Sequence, residues 1–157
     1  MKTFGKFKIE KARPSDLPDI LMLEKASFSA DAFTRHQFYY FIHQSKSNFV
    51  VVRNRQQILA YLIIQIRKNS RKYRIYSLAI APNARGMGIA TLLLGYAEQL
   101  AITHKIKKIK LEVSDKNTAA INLYQKQGYR KTGERSGYYA DGSAAWIMEK
   151  NMPMGED

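Results

Sequence analysis

The chain has 157 residues, of which 45% are hydrophobic and 25% are charged, a composition that predicts one globular domain and excludes an intrinsically disordered protein. Its formal net charge is +13, from 26 Lys and Arg against 13 Asp and Glu, so nucleic acid, an acidic protein or a multiply phosphorylated cofactor would be attracted to it. The sequence contains no cysteine, which excludes a cysteine nucleophile and a thiolate zinc site.

Hydrophobic periodicity predicts the elements of the first part of the chain. They are a strand over 7–12, a helix from 17 to about 26, a second helix from 34 to about 43, and a hairpin of strands over 48–53 and 58–67.

The second part continues with a strand over 73–81, a helix from 87 to about 104, a strand over 106–113, a short helix over 118–127, and strands over 129–135 and 144–150. Asn117 or Ser114 can cap the short helix. The order βααβββαβαββ predicts a single-domain α/β/α sandwich over residues 1–157 with a mixed, mostly antiparallel sheet. Its core spans about 7–150, and the tail over 151–157 is expected to fray.

The turn between the strand over 73–81 and the following helix carries the clearest motif. Gly86 and Gly88 lack a Cβ, so an anionic ligand can approach the backbone closely. The N–H groups at the start of a helix have no intrahelical partners and carry partial positive charge, and Arg85 adds a cation. The stretch therefore predicts a cradle for phosphate or pyrophosphate.

Known phosphate motifs can be compared with this turn. A Walker A loop would need Gly-Lys-Ser/Thr, whereas Ile89-Ala90 follows Gly88. A dinucleotide fingerprint could use Thr91 as its third small residue, but that motif normally belongs to the first strand of a βαβ unit, and here other strands precede it. An ordinary turn whose glycines relieve crowding is a further alternative.

The pattern that fits is Gln/Arg-x-x-Gly-x-Gly/Ala, which Arg85, Gly88 and Ala90 satisfy. It resembles the coenzyme A loop of the GNAT acetyltransferase superfamily. The resemblance implies acetyl-CoA as cosubstrate and no metal, with cofactor contacts from the turn and helix start: Arg85, Gly86, Met87, Gly88, Ile89, Ala90 and Thr91.

A second motif runs from Leu111 to Tyr129 and is similar to Leu-Glu-Val…Asn-x-x-Ala-x-x-Leu-Tyr-x-x-x-Gly-Phe/Tyr. Together with Arg135-Ser136-Gly137-Tyr138-Tyr139, it resembles the ribosomal protein alanine N-acetyltransferases, which modify protein N-termini. The resemblance covers about residues 9–150. The early helices match only loosely.

Acetyl transfer from a thioester to an amine requires a proton acceptor, an oxyanion donor and a proton for the departing thiolate. Glu112 lies on the face of its strand opposite Leu111 and Val113, which suits a base; its alternative is a surface carboxylate paired with a lysine such as Lys110. Tyr124 could supply the acid, or could simply pack.

The resemblance also implies roles for other residues. Leu78, Ala79 and Ile80 would offer backbone groups to the pantetheine arm and thioester, and Asn117 would contact the cofactor, although an N-cap could be its whole role. The pair Tyr138 and Tyr139 would shape the acceptor groove. If this segment is extended, the two side chains point to opposite faces, and one of them could have a packing role alone.

We expect an enzyme that transfers acetyl from acetyl-CoA directly to the N-terminal α-amine of a protein or peptide in a ternary complex. A lysine side chain or a small-molecule amine is an alternative acceptor. A basic RNA- or ribosome-binding module with a vestigial cofactor site is an alternative from another class, motivated by the +13 charge.

No apolar run approaches a membrane span, and Met1–Lys6 lacks the apolar core of a signal peptide. We therefore expect a cytoplasmic protein without a membrane partner. The three histidines show no metal-ligand spacing, and the basic runs over 67–74, 105–110 and 126–131 are compatible with a ribosomal or RNA-rich setting.

Overall fold

The computed structural model describes residues 2–4, 7–28, 34–43, 47–66 and 71–153. The chain divides into two compact units. Unit 1 comprises residues 1–65 and 77–90, and unit 2 comprises residues 66–76 and 91–157. None of the helices within the described ranges is both long and apolar enough to cross a lipid bilayer.

Unit 1 is built from antiparallel strands and two helices. Its elements in chain order are β1 (Lys2–Phe4), β2 (Phe7–Lys11), α1 (Leu17–Phe28), α2 (Arg35–His43), β3 (Ser47–Asn54) and β4 (Gln57–Ile66). Each strand pairs antiparallel with the next. Ala81 N–H donates to Leu59 O at 2.7 Å, so the chain that follows the next strand lies beside β4.

Aromatic packing and two buried polar clusters stabilise unit 1. The Phe38 ring lies 5.6 Å from Tyr61, and burial beside Glu24 raises the Tyr61 pKa because both disfavour the phenolate. The Tyr61 hydroxyl bonds Glu24 and also lies 2.9 Å from Ser77 Oγ. Separately, Arg53 pairs with Asp16 at 3.0 Å. Sequence periodicity does not reveal either cluster.

Unit 2 contains the N-terminal part of β5 (Lys72–Ile80), most of α3 (Ile89–Thr103), and then β6 (Lys108–Ser114), α4 (Thr118–Lys126), β7 (Arg130–Arg135) and β8 (Ala145–Asn151). Here β5 and β6 pair in parallel, from Lys72↔Lys108 to Ile75↔Leu111. Strand β8 pairs antiparallel with both β6 and β7, so it lies between them.

The predicted α/β fold with a mixed, mostly antiparallel sheet is confirmed, but its element order needs one addition. Strand β1 precedes the predicted first strand, which makes the order ββααβββαβαββ. Three residues are too short to show a periodicity, and backbone pairing with β2 defines this strand.

Several predicted boundaries differ from the structure, and two of them have a clear physical reason. Helix α3 begins at Ile89 rather than Met87, because Gly86 and Gly88 both have φ of +79°, which no α-helical residue adopts. The tail is ordered through Met152, whose N–H donates to Lys107 O at 2.8 Å and whose side chain is buried. Residues 154–157 of the predicted frayed tail lie outside the described residues.

Candidate active site

The glycine turn of unit 1 presents an open backbone surface. Pro82–Ala84 forms a short 3₁₀ turn, Arg85 is extended, and the chain from Arg85 to Gly88 is exposed. Ile89 is buried and anchors the beginning of α3, whereas Met87 is 44% exposed. The predicted strand, glycine-bearing turn and helix start are therefore confirmed as local structure.

The two glycines have the geometry that close approach of a ligand requires. Both have φ of +79°, which is strained for L side chains, and a Cβ at either position would meet nothing within 4 Å. The space beside the backbone is thus open. Glycine adopts this φ without strain and has no side chain that would fill the space. The unpaired amides of the first α3 turn follow directly, which makes this segment suitable for a phosphate group.

The strand segment that precedes the turn alternates in burial. Ala79 is 4% exposed, whereas Leu78 and Ile80 are half-buried on the opposite face. Ala90, which follows the turn, is also half-buried. This alternation fixes which side chains point away from the core. The contacts expected of Leu78, Ala79 and Ile80 involve backbone groups, so they do not depend on which way these side chains point.

Glu112 lies on the half-exposed face of β6, opposite the buried face, as predicted. Its side chain is only 7% exposed, and its Oε1 accepts a bond from Arg74 Nη2 at 3.1 Å. The alternative prediction, in which Glu112 is a surface carboxylate paired with a lysine such as Lys110, was wrong. Lys110 is two residues away on the same strand, whereas the long Arg74 side chain reaches Glu112 diagonally from β5.

Tyr138 joins this pair of charges. Its pKa is raised by partial burial and then by hydrogen bonding to Glu112 and the carboxylate's charge, while Arg74 acts in the opposite direction. The ring is 44% exposed and lies 5.0 Å from that of Tyr139 in an edge-on arrangement. The structure thus brings together Glu112, Tyr138 and Arg74.

The segment that carries the two tyrosines is a turn rather than an extended strand. Tyr139 N–H donates to Ser143 O at 3.1 Å, and Gly142 N–H donates to Tyr139 O at 2.9 Å. The two tyrosine side chains therefore do not point to opposite faces, and their rings contact each other.

Tyr124 is a buried residue of α4, 8% exposed. Burial raises the pKa of Tyr124 to about 12, so its phenol keeps its proton throughout the neutral range. Its ring lies 5.9 Å from that of Tyr129. The phenol therefore holds a proton at neutral pH that a departing thiolate could accept.

Asn117 and Thr91 make defined local contacts. The Asn117 Oδ1 accepts a bond from Ala120 N–H at 3.2 Å, which confirms the N-cap. Thr91 is exposed, and its Oγ1 lies 3.5 Å from Gln127 Nε2. Thr91 at the start of α3 is therefore adjacent to the C-terminus of α4.

Arg74 is the residue of this site that the sequence did not single out. It appeared there only as one member of a basic run. Its pairing with Glu112 depends on the parallel register of β5 and β6, which a crossover connection leaves undetermined in sequence. The alternation of buried and half-buried residues along β5 does place Arg74 on the polar face.

The Tyr129 hydroxyl gives a prediction about stability. It is buried without a hydrogen-bond partner among the described residues, and burial together with Glu98 and Tyr124 raises its pKa. A buried unpaired hydroxyl costs about 1–3 kcal/mol, so Tyr129→Phe should raise the free energy of unfolding by about 1–2 kcal/mol in urea denaturation.

The matched control is Tyr73→Phe. The Tyr73 hydroxyl is also on a buried residue, but it lies 3.0 Å from His104 Nδ1. Loss of that bond should lower the free energy of unfolding by about 1 kcal/mol. Destabilisation by both variants would show that Tyr129 has a partner in solution.

The model of the acetyltransferase (GNAT) family matches residues 16–129, which include the glycine turn, Glu112 and Tyr124. The chain belongs to the GNAT acetyltransferase family and is an acetyltransferase. Members of this family use acetyl-CoA as the acetyl donor.

The chain is similar to several acetyltransferases. An N-alpha-acetyltransferase of Saccharolobus solfataricus is 27% identical over 160 residues, which cover 93% of each chain. The crystal structure of the ribosomal-protein-S18-alanine N-acetyltransferase from Escherichia coli has a TM-score of 0.85 and 22% identity over 96% of this chain and 97% of that one. Ard1 from Thermoplasma volcanium has a TM-score of 0.87 and 23% identity, over 94% and 99%. At these identities the two structures support the fold alone.

Proposed function

We propose that the protein transfers an acetyl group from acetyl-CoA to the N-terminal α-amine of a protein or peptide, with residues 1–157 acting as one domain and the cytoplasm as its location. The observation that carries the proposal is the nearly buried Glu112 carboxylate, which pairs with Arg74 at 3.1 Å and raises the pKa of the neighbouring Tyr138. Tyr138 would shape the acceptor groove. The name of the Saccharolobus relative, an N-alpha-acetyltransferase, supports the same class of acceptor.

The glycine turn would hold the diphosphate of acetyl-CoA. Backbone amides from Gly86 to Thr91 and the Arg85 guanidinium would neutralise its charge, since the glycines leave the backbone accessible. Backbone groups of Leu78, Ala79 and Ile80 would bind the pantetheine arm, with Asn117 as a further contact. When bound, acetyl-CoA supplies an acetyl group activated as a thioester.

Glu112 would take the proton of the incoming ammonium group, directly or through one water. An α-amine has a pKa near 8, so most of it is protonated at neutral pH and cannot attack until a base removes the proton. Burial beside Arg74 holds the carboxylate in one position on β6.

Tyr124 would hold the proton that the departing sulfur requires. Because its pKa is about 12, the phenol is protonated whenever the amine is able to react. One proton then leaves the amine at Glu112 and one is donated at Tyr124. The new N–C bond would form first, with a backbone N–H of Leu78, Ala79 or Ile80 donating to the resulting oxyanion, and the C–S bond would then break, so that the step balances without an oxidant.

Membership of an acetyltransferase family favours the enzyme over an RNA-binding module with a vestigial site. Among acceptors, a polyamine carries several positive charges and would prefer an acidic cleft. The Glu112 carboxylate is instead paired with a guanidinium. An α-amine at the end of a peptide needs no second carboxylate.

The proposal is tested with a peptide that has both a free N-terminus and one internal lysine. Incubation with acetyl-CoA should acetylate the α-amine, located by tandem mass spectrometry. The same peptide with a blocked N-terminus and spermidine serve as controls, and both should react much more slowly. Acetylation confined to the lysine or to spermidine would contradict the proposed acceptor.

A further inference from the structure

One face of the unit 2 sheet carries a row of cations, here called the basic face. It comprises Lys72 and Arg74 on β5, Lys108 and Lys110 on β6, and Arg130 on β7. The parallel register places Lys72 beside Lys108 and Arg74 beside Lys110. Like charges placed side by side in a sheet are destabilising, so solubility alone does not explain this arrangement.

The carboxylates on the basic face do not balance its cations. Glu112 pairs with Arg74 at 3.1 Å, and Glu149, which lies opposite Lys110 and Arg130 in the registers, pairs with Lys108 at 3.1 Å. Lys110 forms no ion pair in the part of the chain that the structure describes. Lys72 and Arg130 are exposed.

The basic face is continuous with the proposed acceptor site. Lys110 and Glu112 are alternate residues of β6 and share this face, and Arg74 belongs to both the face and the Glu112 pair. A peptide whose amine reaches Glu112 is therefore flanked by cations. Acidic side chains that follow its first residue would supply the missing negative charge.

Resting on the proposed function, we infer that the acceptors are protein N-termini whose residues after the first are acidic, bound along the basic face. The amine binds at Glu112. The acidic side chains that follow the first residue pair with Lys72, Lys110 and Arg130. Polybasic N-terminal segments and polyamines are disfavoured, since they place further cations beside Arg74. RNA is the competing occupant of a basic surface, and the test includes it.

The experiment compares three peptides with the same first two residues, followed by three glutamates, three serines or three lysines. At low salt we expect kcat/KM for the glutamate peptide to exceed that for the lysine peptide by about tenfold or more, since each exposed ion pair contributes a few-fold at most. The difference should shrink at about 0.5 M salt, where such pairs are screened. Equal kcat/KM for all three overturns the inference and leaves the proposed function intact.

Two double variants identify the surface. Lys72→Glu with Lys110→Gln should reduce the preference for the glutamate peptide over the lysine peptide to within about threefold. Two of the cations that pair with the acidic side chains are removed. The control is Lys8→Glu with Lys11→Gln, which makes the same change in net charge at exposed lysines of β2. The control should keep the preference; an equal loss in both would assign it to net charge and overturn the inference.

Peptide binding and RNA competition complete the test. Fluorescence anisotropy of labelled peptides measures the preference without turnover, so it separates failure of the inference from failure of the proposed function. A short duplex RNA should compete weakly. Tight RNA binding that the Lys72→Glu, Lys110→Gln variant abolishes, with no discrimination between peptides, would make the basic face a nucleic-acid surface and overturn the inference.

Discussion

Glu112→Gln is expected to lower kcat/KM for peptide acetylation by about 10²–10⁴-fold near neutral pH, because the amide cannot accept the ammonium proton. Acetyl-CoA binding, measured by thermal shift, should be nearly unchanged. The deficit should narrow as the pH rises above the α-amine pKa of about 8, where the free amine no longer needs a base. Steady-state kinetics over about pH 6 to 9.5 measure this profile.

Glu149→Gln is the matched control. This glutamate shares the basic face, is similarly shielded at 17% side-chain exposure, and also forms an ion pair with a cation at 3.1 Å. Its variant should retain the wild-type rate within about threefold, since no proton transfer is assigned to it. A Glu112→Gln enzyme with wild-type rates at every pH would remove the base from the mechanism.

Tyr124→Phe is expected to lower kcat by about 10²-fold or more while leaving KM for acetyl-CoA nearly constant, because the lost group acts on the departing sulfur rather than on binding. The pKa of about 12 predicts no alkaline loss of activity from this residue below about pH 11. Wild-type activity should therefore fall on the acid side only, as the acceptor amine becomes more fully protonated.

Tyr129→Phe is the control for this variant. Its ring centroid lies 5.9 Å from that of Tyr124 and it is also buried, so the same atom is removed from a neighbouring buried ring. Turnover should stay near wild type while stability rises. Equal losses of turnover in the two variants would indicate that packing, not proton donation, explains the effect of Tyr124→Phe.

Local patterns predicted the elements that carry the site. The Asn117 cap, the glycine turn and the position of Glu112 on the polar face of its strand all follow from rules that act within a few residues. The boundary at Ile89 was missed by two residues, since the sequence does not show that Gly86 and Gly88 adopt φ of +79°.

Contacts between distant residues could not be predicted in the same way. Arg74 reaches Glu112 only because of the β5–β6 register, and 38 residues separate the two. Met152 N–H donates to Lys107 O and its side chain is buried, and no periodicity in the tail indicates either contact. The Tyr61 contacts with Glu24 and Ser77 likewise depend on how strands and helices pack. Such long-range pairs are set by tertiary packing rather than by periodicity.

The most direct test of the proposed cofactor and catalytic sites is a crystal structure of the protein with coenzyme A bound. We predict that the diphosphate oxygens accept bonds from backbone amides between Gly86 and Thr91, at about 2.8–3.2 Å. We further predict that the thiol lies within hydrogen-bonding reach of Tyr124 Oη and that the Glu112 carboxylate faces the acetyl-binding position. A diphosphate bound elsewhere, or a sulfur remote from both side chains, would contradict the account.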